Sequence, residues 1–319
     1  MFQDSKLAVS IDLGGTFIKA GLINYKGEII YFIQKETQIN LGKEKAINNL
    51  KKTIKELINK TNKKKITGIS LGVPGPIDFK RGIIKNPPNF PDWKNIQLRS
   101  IIENEFLIPT ILENDANLAL LGELWQGKAK NKKNVVLLTL GTGVGGAILI
   151  NGQIYRGQSG AAGELGHMII DKQSKMKCGC GNYGCLESLV SVTGIKKELV
   201  KQIKKGQKSL VKKLVKNSLS KIDGQIIYQA ALMGDNLSKN ILITAGRYLG
   251  LGIINLINIF NPEIIIITGQ LSKARKFFLE SMRETVRKKS FLIKPPSITV
   301  SSFINKGGIL GGGYLQFIN

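Results

Sequence analysis

The hydrophobic positions of this chain form short apolar runs that glycines interrupt, once near the start and once near the middle. Residues 7–23 comprise two apolar segments joined by Gly14 and Gly15, which predicts a β-hairpin, and a further strand is predicted at residues 28–34. Residues 134–150 repeat the order of apolar segment, Gly/Thr-rich turn and apolar segment. The repeat predicts two hairpin-led halves, and halves that face each other would leave a cleft between them.

Elsewhere in the chain, apolar residues at helical spacing alternate with short apolar runs. The former predict helices and the latter predict buried strands. The predicted helices cover residues 43–61, 116–126, a Lys-rich pair within 195–220, and 235–259, and the predicted strands cover 66–71, 110–113 and 264–268. Residues 307–314 predict a glycine-rich turn that leads into a last helix. Strands separated by helices indicate the α/β class.

Composition bounds the size and the partners of the protein. A length of 319 residues suggests two domains of roughly 150 residues each, and a hydrophobic fraction of 42% can supply a sizeable core. The formal net charge of +25 indicates either a nucleic-acid partner or a general excess of lysine. Because the lysines occur in loops and helices alike and do not interleave with aromatic residues, we expect no nucleic-acid partner. A positive field would also tolerate an anionic substrate.

One apolar stretch, residues 249–269, is long enough to suggest a membrane span. Asn255, Asn258 and Pro262 interrupt it, so a buried helix followed by a buried strand fits it better. Residues 1–6 are short and polar and do not resemble a secretion signal. We therefore expect a cytoplasmic protein without a membrane partner.

Both predicted hairpins carry a glycine turn that suits phosphate binding. Backbone N–H groups in such turns can converge on one oxyanion, because glycine lacks the Cβ that restricts their conformation. In the first turn, residues 12–16, Thr16 adds a hydroxyl and Asp12 suits Mg²⁺ or its water shell. The second turn is Gly141-Thr-Gly-Val-Gly-Gly. Either turn alone could be an ordinary hairpin turn, but the pair could hold adjacent phosphates of one nucleotide.

The segment Glu113-Asn-Asp-Ala-Asn follows an apolar strand and opens a helix. Asn and Asp are preferred helix N-caps, so capping alone is one interpretation. The other is catalytic, because a kinase needs a carboxylate that accepts the proton of the attacking hydroxyl. We expect Asp115 to be that carboxylate, with Asn114 beside it to hydrogen-bond a hydroxyl.

The only histidine and all three cysteines lie close together in the sequence, at His167, Cys178, Cys180 and Cys185. An odd number of closely spaced cysteines, in a chain without a secretion signal, argues against a disulfide framework and for a metal site. One imidazole and three thiolates match a tetrahedral, structural zinc site. The alternative is a set of free buried thiols beside a core histidine. Zinc would lock the loop that carries Glu164, His167 and Glu187, so that these side chains could hold sugar hydroxyls.

Taken in order, these motifs resemble the ROK family of bacterial sugar kinases and repressors, over almost the whole chain. The motifs that carry the resemblance lie at residues 12–16, 72–75, 88–93, 113–117, 140–146, 163–167 and 178–187. The resemblance implies an α/β, actin/hexokinase-like (ribonuclease H-like) fold of two domains with a cleft between them. The small domain would comprise residues 1–115 and a helix at 305–319. The large domain would comprise residues 116–304 and the zinc-binding loop 167–187.

The resemblance also implies ATP-dependent phosphorylation of a hexose, with ATP, Mg²⁺ and structural Zn²⁺. Asp115 would be the general base. Sugar contacts would come from Gly72, Asn89, Asn114, Asp115, Glu164, His167 and Glu187. ATP contacts would come from Asp12, Gly14, Gly15, Thr16, Lys19, Gly141, Thr142, Gly143, Gly145, Gly269 and Gly311. Gln270 stands where the family often has a second glycine, so the nucleoside contacts follow the family least closely.

Glucose is the expected substrate, because residues 113–125 and 161–167 look most like glucokinases. Three alternatives stay open: a kinase for fructose, N-acetylglucosamine or N-acetylmannosamine, a sugar-sensing repressor, and a structural or ATPase role. Such repressors carry a DNA-binding module ahead of the first hairpin, and here about ten residues precede the first glycine turn. We therefore expect an enzyme, and the resemblance implies a homodimer.

Overall fold

A computed structural model describes residues 6–87, 90 and 92–318. The chain divides into two compact units. The first comprises Met1–Lys133, Ala147–Gly163 and Ser301–Asn319, and the second comprises Asn134–Gly146 and Glu164–Val300.

Strands and helices alternate along both units. The strands are β1 (Leu7–Leu13), β2 (Phe17–Asn24), β3 (Ile29–Glu36), β4 (Ile66–Val73), β5 (Ile77–Asp78), β6 (Ile83–Ile84), β7 (Thr110–Asn114), β8 (Val135–Leu140), β9 (Val144–Ile150), β10 (Gln153–Ile154), β11 (Ile264–Thr268) and β12 (Ser297–Val300). The α-helices are α1 (Lys43–Ile58), α2 (Leu98–Phe106), α3 (Asp115–Gln126), α4 (Leu186–Val190), α5 (Val192–Lys204), α6 (Val211–Leu214), α7 (Gly224–Leu232), α8 (Asn236–Phe260), α9 (Glu280–Lys289) and α10 (Gly307–Ile318).

The first unit is built on a sheet with the strand order β3-β2-β1-β4-β7. The β1–β2 and β2–β3 pairs are antiparallel, whereas β4 lies parallel to β1 and to β7. Side chains alternate between the two faces of a strand. In β1, Val9 and Ile11 belong to the core cluster that includes Leu50 and Ile54 of α1, while Ser10 points towards α10 and hydrogen-bonds the Gly308 carbonyl at 3.5 Å. The sheet is therefore covered by α1 on one face and by α10 on the other.

The second sheet has the order β10-β9-β8-β11-β12, in which β11 lies parallel to β8 and to β12. Every residue of β11 is buried, as a central strand requires. The two sheets thus repeat the same arrangement, with a hairpin-led antiparallel part followed by two parallel strands. This repeat confirms the internal similarity that the sequence indicated.

Helix α8 is the one helix in the described residues that is long and apolar enough to cross a membrane. Other parts of the protein bury 56% of its apolar window. It packs against α7, α9 and α4, which agrees with the predicted buried helix followed by a buried strand.

Two sequence-based expectations differ from the structure. The glycine run at residues 307–314 is not a turn, because it lies within α10. Glycines allow α10 to approach α3 closely, and a Cβ on Gly311 would lie 1.8 Å from the Leu118 carbonyl oxygen. The second helix of the Lys-rich pair predicted within residues 195–220 is only the single turn α6, which residues 205–210 separate from α5.

The limits of the units also differ from the boundary after residue 115 that the resemblance implied. The first unit continues to Lys133 and includes Ala147–Gly163. The physical reason is that α3 packs along α10, where Leu118, Leu121 and Leu315 form an apolar cluster. Trp125 adds ring contacts with Tyr314 and Phe317 of α10.

Candidate catalytic and metal-binding residues

The parallel strands of the first unit end in a row of candidate site residues. Asp12 of β1 pairs with Gly72 of β4, and Gly72 pairs with Glu113 of β7. A Cβ on Gly72 would lie 2.7 Å from the Leu118 side chain and 3.6 Å from the Asp115 Cα. The carboxyl ends of these strands therefore bring Asp12, Gly72 and Asp115 to one edge of the sheet, where α/β proteins commonly bind ligands.

Asp115 is the first residue of α3, and Asn114 is the N-cap. The Asn114 side-chain oxygen accepts hydrogen bonds from the backbone N–H groups of Ala116 at 2.9 Å and Asn117 at 3.2 Å. One Asp115 carboxylate oxygen accepts the Ala116 N–H at 2.8 Å. The helix N-terminus favours negative charge at this position. Capping thus explains Asn114, and the Asp115 carboxylate lies in the first turn of the helix.

The glycine turn between β1 and β2 is pinned by a residue from outside the hairpin. Thr37 donates its hydroxyl to the Gly14 carbonyl at 2.6 Å and its backbone N–H to the Thr16 carbonyl at 2.9 Å. Beside the turn, the Lys19 ammonium group lies 3.3 Å from an Asp12 carboxylate oxygen. Both side chains are 24% exposed, so each can still meet a ligand. The turn therefore presents a cation and an anion next to its backbone.

The glycine turn between β8 and β9 is held by a carboxylate from α4. Glu187 accepts the Val144 backbone N–H at 3.0 Å. A Cβ on Gly143 would lie 2.4 Å from the same carboxylate oxygen, so only glycine fits there without a shift. Thr193 donates its hydroxyl to the Thr142 carbonyl at 2.7 Å, and Gly145 donates its N–H to the Thr139 hydroxyl at 3.1 Å.

The four predicted metal ligands are brought together in the second unit. The ligand atoms of His167, Cys178, Cys180 and Cys185 all lie within 4.8 Å of one another. The Cys178 sulfur is 3.5 Å from His167 Nδ1, and the Cys180 and Cys185 sulfurs are 3.7 Å apart. Zinc–sulfur bonds of about 2.3 Å at tetrahedral angles place sulfur atoms roughly 3.8 Å apart. These donors therefore fit a tetrahedral zinc ion.

The thiols of this cluster have pKa values shifted from that of a free cysteine. Burial raises the pKa of Cys178 to about 12, and burial also raises the pKa of Cys185. A hydrogen bond from the Asn182 backbone N–H lowers the pKa of Cys180. Since metals bind thiolates, loading the site must release protons.

The loop that carries the cysteines is folded back on itself by backbone hydrogen bonds. Ile170 N–H and Asp171 N–H both donate to the Gly184 carbonyl. Gly184 has φ +69°, and a Cβ there would lie 1.9 Å from the Asp171 carbonyl oxygen. The Tyr248 hydroxyl of α8 donates to the Asp171 carboxylate at 2.9 Å, which ties the loop to the long helix. Glycine is therefore required at this position of the loop.

The second ring nitrogen of His167, Nε2, faces Glu164, which is another candidate sugar contact. His167 Nδ1 faces the cysteines, and Nε2 lies 3.8 Å from a Glu164 carboxylate oxygen. Burial raises the pKa of Glu164; the His167 charge opposes this rise and the Glu187 charge adds to it. The three predicted sugar ligands of the second unit, Glu164, His167 and Glu187, therefore interact electrostatically as one group.

The remaining predicted contacts are placed as follows. Gly269, with φ +93°, caps a short 3₁₀ turn after β11 and lies against the Leu140 carbonyl. Gly311 is buried within α10, which gives it a packing reason to be glycine. Asn89 lies outside the described residues. Trp93, in the same loop, is 1% exposed, and its ring packs against Phe90 in a T-shaped arrangement with the ring centroids 4.9 Å apart.

Sequence reasoning missed one feature of the first unit. Glu113 is 2% exposed and forms an ion pair with Arg156, whose guanidinium donates to Glu113 Oε2. Arg156 follows β10, 43 residues further along the chain. No local pattern marks such a partner, because the pairing depends on how the strands assemble.

The sequence matches the ROK family over residues 8–316, and the chain therefore belongs to the ROK family. A glucokinase of Thermotoga maritima is 36% identical over 306 residues, which cover 95% of this chain and 95% of that protein. A xylose repressor of Caldicellulosiruptor bescii is 34% identical over 313 residues, which cover 97% of this chain and 77% of the repressor. Relatives of both kinds, kinases and repressors, are thus similar over nearly the whole chain.

A solved structure supports the same assignment. The crystal structure of a ROK family glucokinase from Streptomyces griseus, in complex with glucose and AMPPNP, superposes with a TM-score of 0.85 at 26% identity. The match covers 97% of this chain and 98% of that one. The predicted family and the α/β, actin/hexokinase-like fold class are therefore confirmed.

Proposed function

We propose that this protein is an ATP-dependent hexose kinase whose preferred substrate is glucose. The observation that carries the proposal is the position of Asp115, a carboxylate at the start of α3, on the sheet edge that also bears Asp12 and its glycine turn. Similarity to glucokinases over nearly the whole chain supports the same reaction. Each unit carries one set of polar groups for it.

In the proposed reaction, Asp115 accepts the proton of a sugar hydroxyl. The hydroxyl oxygen forms a bond to the γ-phosphorus of ATP, the bond between that phosphorus and the bridging oxygen breaks, and ADP leaves. Asn114 and Gly72 would position the hydroxyl, and the two glycine turns and Lys19 would bind the phosphates. Mg²⁺, which Asp12 could help to hold, would neutralise phosphate charge. A positioned base contributes about 10²–10⁴ in rate.

The four ligands around residue 167 would hold a structural zinc ion, which would stiffen the loop. With Nδ1 of His167 directed to the metal, Nε2 can hydrogen-bond a sugar hydroxyl. Glu164 and Glu187 would accept hydrogen bonds from neighbouring hydroxyls. The Glu164 side chain is 45% exposed, so its carboxylate is accessible to such hydroxyls, and partial burial raises its pKa.

A second candidate function is sugar sensing without catalysis, which the 34% identity to a xylose repressor favours. Both candidates bind a sugar, but only the kinase phosphorylates it. A kinase for another hexose is a variant of the first candidate, because hydroxyl recognition by buried polar groups discriminates strongly between sugars.

The test is a coupled ADP-release assay with glucose, fructose, mannose, xylose, N-acetylglucosamine and N-acetylmannosamine, combined with calorimetric binding of each sugar. Turnover highest with glucose supports the proposal. If turnover is highest with another hexose, the protein is a kinase whose preferred substrate is that hexose and not glucose. Binding of xylose or another sugar without turnover from ATP or polyphosphate favours the sensor. We also propose a cytoplasmic homodimer, which light scattering and cell fractionation would check.

A further inference from the structure

A buried carboxylate that the proposed reaction does not use lies two residues before the candidate base. Glu113 is the fourth of the five residues of β7, and its side chain is 2% exposed. Burying a charge is costly unless it is paired and hydrogen-bonded. The way in which this charge is satisfied therefore indicates its task.

All four hydrogen-bonding positions of the Glu113 carboxylate are used. Oε1 accepts the Asn114 backbone N–H at 2.9 Å and the Asn117 side-chain amide at 2.9 Å. Oε2 accepts Nε of Arg156 at 3.0 Å and its terminal NH2 at 2.5 Å. An ionised carboxylate has about four acceptor positions, so this one is saturated. Its two oxygens face two different parts of the chain.

The first oxygen fixes the turn that carries Asp115. Asn114 and Asn117 lie on either side of Asp115, and both are held by the same atom of Glu113. The Asn114 side chain in turn caps the helix. Rotation of the Asp115 backbone would therefore break several hydrogen bonds at once.

The second oxygen connects this turn to the segment after β10. The Arg156 guanidinium lies over the Phe79 ring at 5.3 Å, and the Arg156 carbonyl accepts the Ala162 N–H at 3.1 Å. The arginine is thus held on a second side while it neutralises Glu113. Both groups belong to the first unit.

We propose that Arg156, acting through Glu113, is a positioning residue for the Asp115 base. This inference rests on the proposed kinase function. A displacement of about 1 Å at a reacting group can cost roughly 10²-fold in rate. Arg156 delivers two N–H groups to one oxygen, and a lysine would deliver a single donor from a different direction.

The test compares R156K, R156M and the double variant E113Q/R156M with the parent enzyme. We expect kcat to fall about tenfold in R156K and about 10²-fold in R156M, with the KM for glucose within about threefold of the parent. The double variant leaves no unpaired buried charge, so it keeps the experiment informative if R156M folds poorly. It should lose no more kcat than R156M, because both changes act on one pair. R81M removes an exposed arginine of the same unit and should leave kcat unchanged.

Rates are scaled to the fraction of folded protein measured by circular dichroism. If the parent is active but R156M and the double variant keep kcat within twofold of it, the positioning role is refuted while the kinase function stands. If kcat and glucose affinity fall only in proportion to the folded fraction, the pair is merely structural and the inference is likewise overturned. A parent that turns over no sugar refutes the proposed function, and the inference falls with it.

Discussion

The Glu187 carboxylate accepts the Val144 backbone N–H at 3.0 Å with one oxygen, and its other oxygen lies 3.4 Å from the Cys178 sulfur. One side chain thus connects the glycine turn after β8 with the loop that carries the three cysteines. The sequence identified both features and gave no sign that they touch. A structural change in the loop should therefore alter the conformation of the turn.

This connection predicts a double effect of E187A. Loss of a hydrogen bond to a charged group costs about 1.5–3 kcal/mol, so we expect KM to rise about tenfold or more for both the sugar and ATP. E164A, which leaves the Val144 contact intact, should raise the KM for the sugar alone. Steady-state kinetics with each substrate varied in turn measure both values. E198A on α5 serves as the control. A rise confined to the sugar in E187A would show that the turn does not depend on Glu187.

The base assignment predicts that D115N binds glucose and loses turnover. We expect kcat to fall at least 10²–10⁴-fold, because the amide cannot accept the hydroxyl proton. Glucose binding measured by calorimetry should change by less than about threefold. E105Q, on the surface of the same unit, should behave like the parent. Near-normal turnover in D115N would show that a group other than Asp115 accepts the proton of the hydroxyl.

The metal site predicts that C178A and C185A lose zinc together with thermal stability. The parent should contain about one zinc per chain by atomic emission, and each variant should contain much less, because a structural site needs all four ligands. Glucose affinity should fall at the same time, since His167 would lose its anchor. K177A, which alters the neighbouring exposed position, should retain the metal. Full zinc content in C178A would mean that the ligand set is wrong.

The N-cap of α8 predicts a pH-dependent loss of stability in D235N. Burial alone would raise the pKa of Asp235, but hydrogen bonds from Ser238, Leu210 and Ser209 outweigh it and lower the pKa below its ordinary value. Ionised Asp235 therefore stabilises the fold fully above the unfolded pKa of about 3.9, and this contribution disappears as pH falls through the lower folded pKa.

Urea unfolding should show D235N less stable than the parent by about 2 kcal/mol at pH 7. The difference should shrink at acid pH below the unfolded value. D223N is a matched comparison, because Asp223 caps α7 through the Ile226 N–H alone. It should lose about 1 kcal/mol at pH 7. A D235N deficit that stayed constant down to pH 2 would exclude the charge as its source.

Local patterns predicted most elements of the fold, and the reasons are physical. The strand at residues 264–268 was placed without error because four consecutive isoleucines and a β-branched threonine, followed by glycine, leave few alternatives. The two hairpins were visible because glycine turns interrupt their apolar runs. The cluster of His167 with three cysteines was predictable because the sequence holds one histidine and three closely spaced cysteines.

Features that depend on long-range contact were not predictable. The run Gly307-Gly-Ile-Leu-Gly-Gly-Gly looks like a turn by composition, since glycine disfavours helices. It is helical because Gly311 permits a close approach to α3 that a larger residue would prevent. Arg156 was missed for the same reason, as its partner Glu113 is adjacent only after folding.

The packing of α10 against β1 has a consequence for the newly made chain. Ser10 and Gly308 meet across 298 positions of sequence, so one face of the first sheet stays uncovered until the residues of α10 have emerged from the ribosome. Closing so long a loop is entropically costly and slow. We expect ribosome-bound chains that stop before residue 307 to be cut by protease within the first 130 residues, and full-length chains to resist. The first unit would thus mature last, although most of it is translated first.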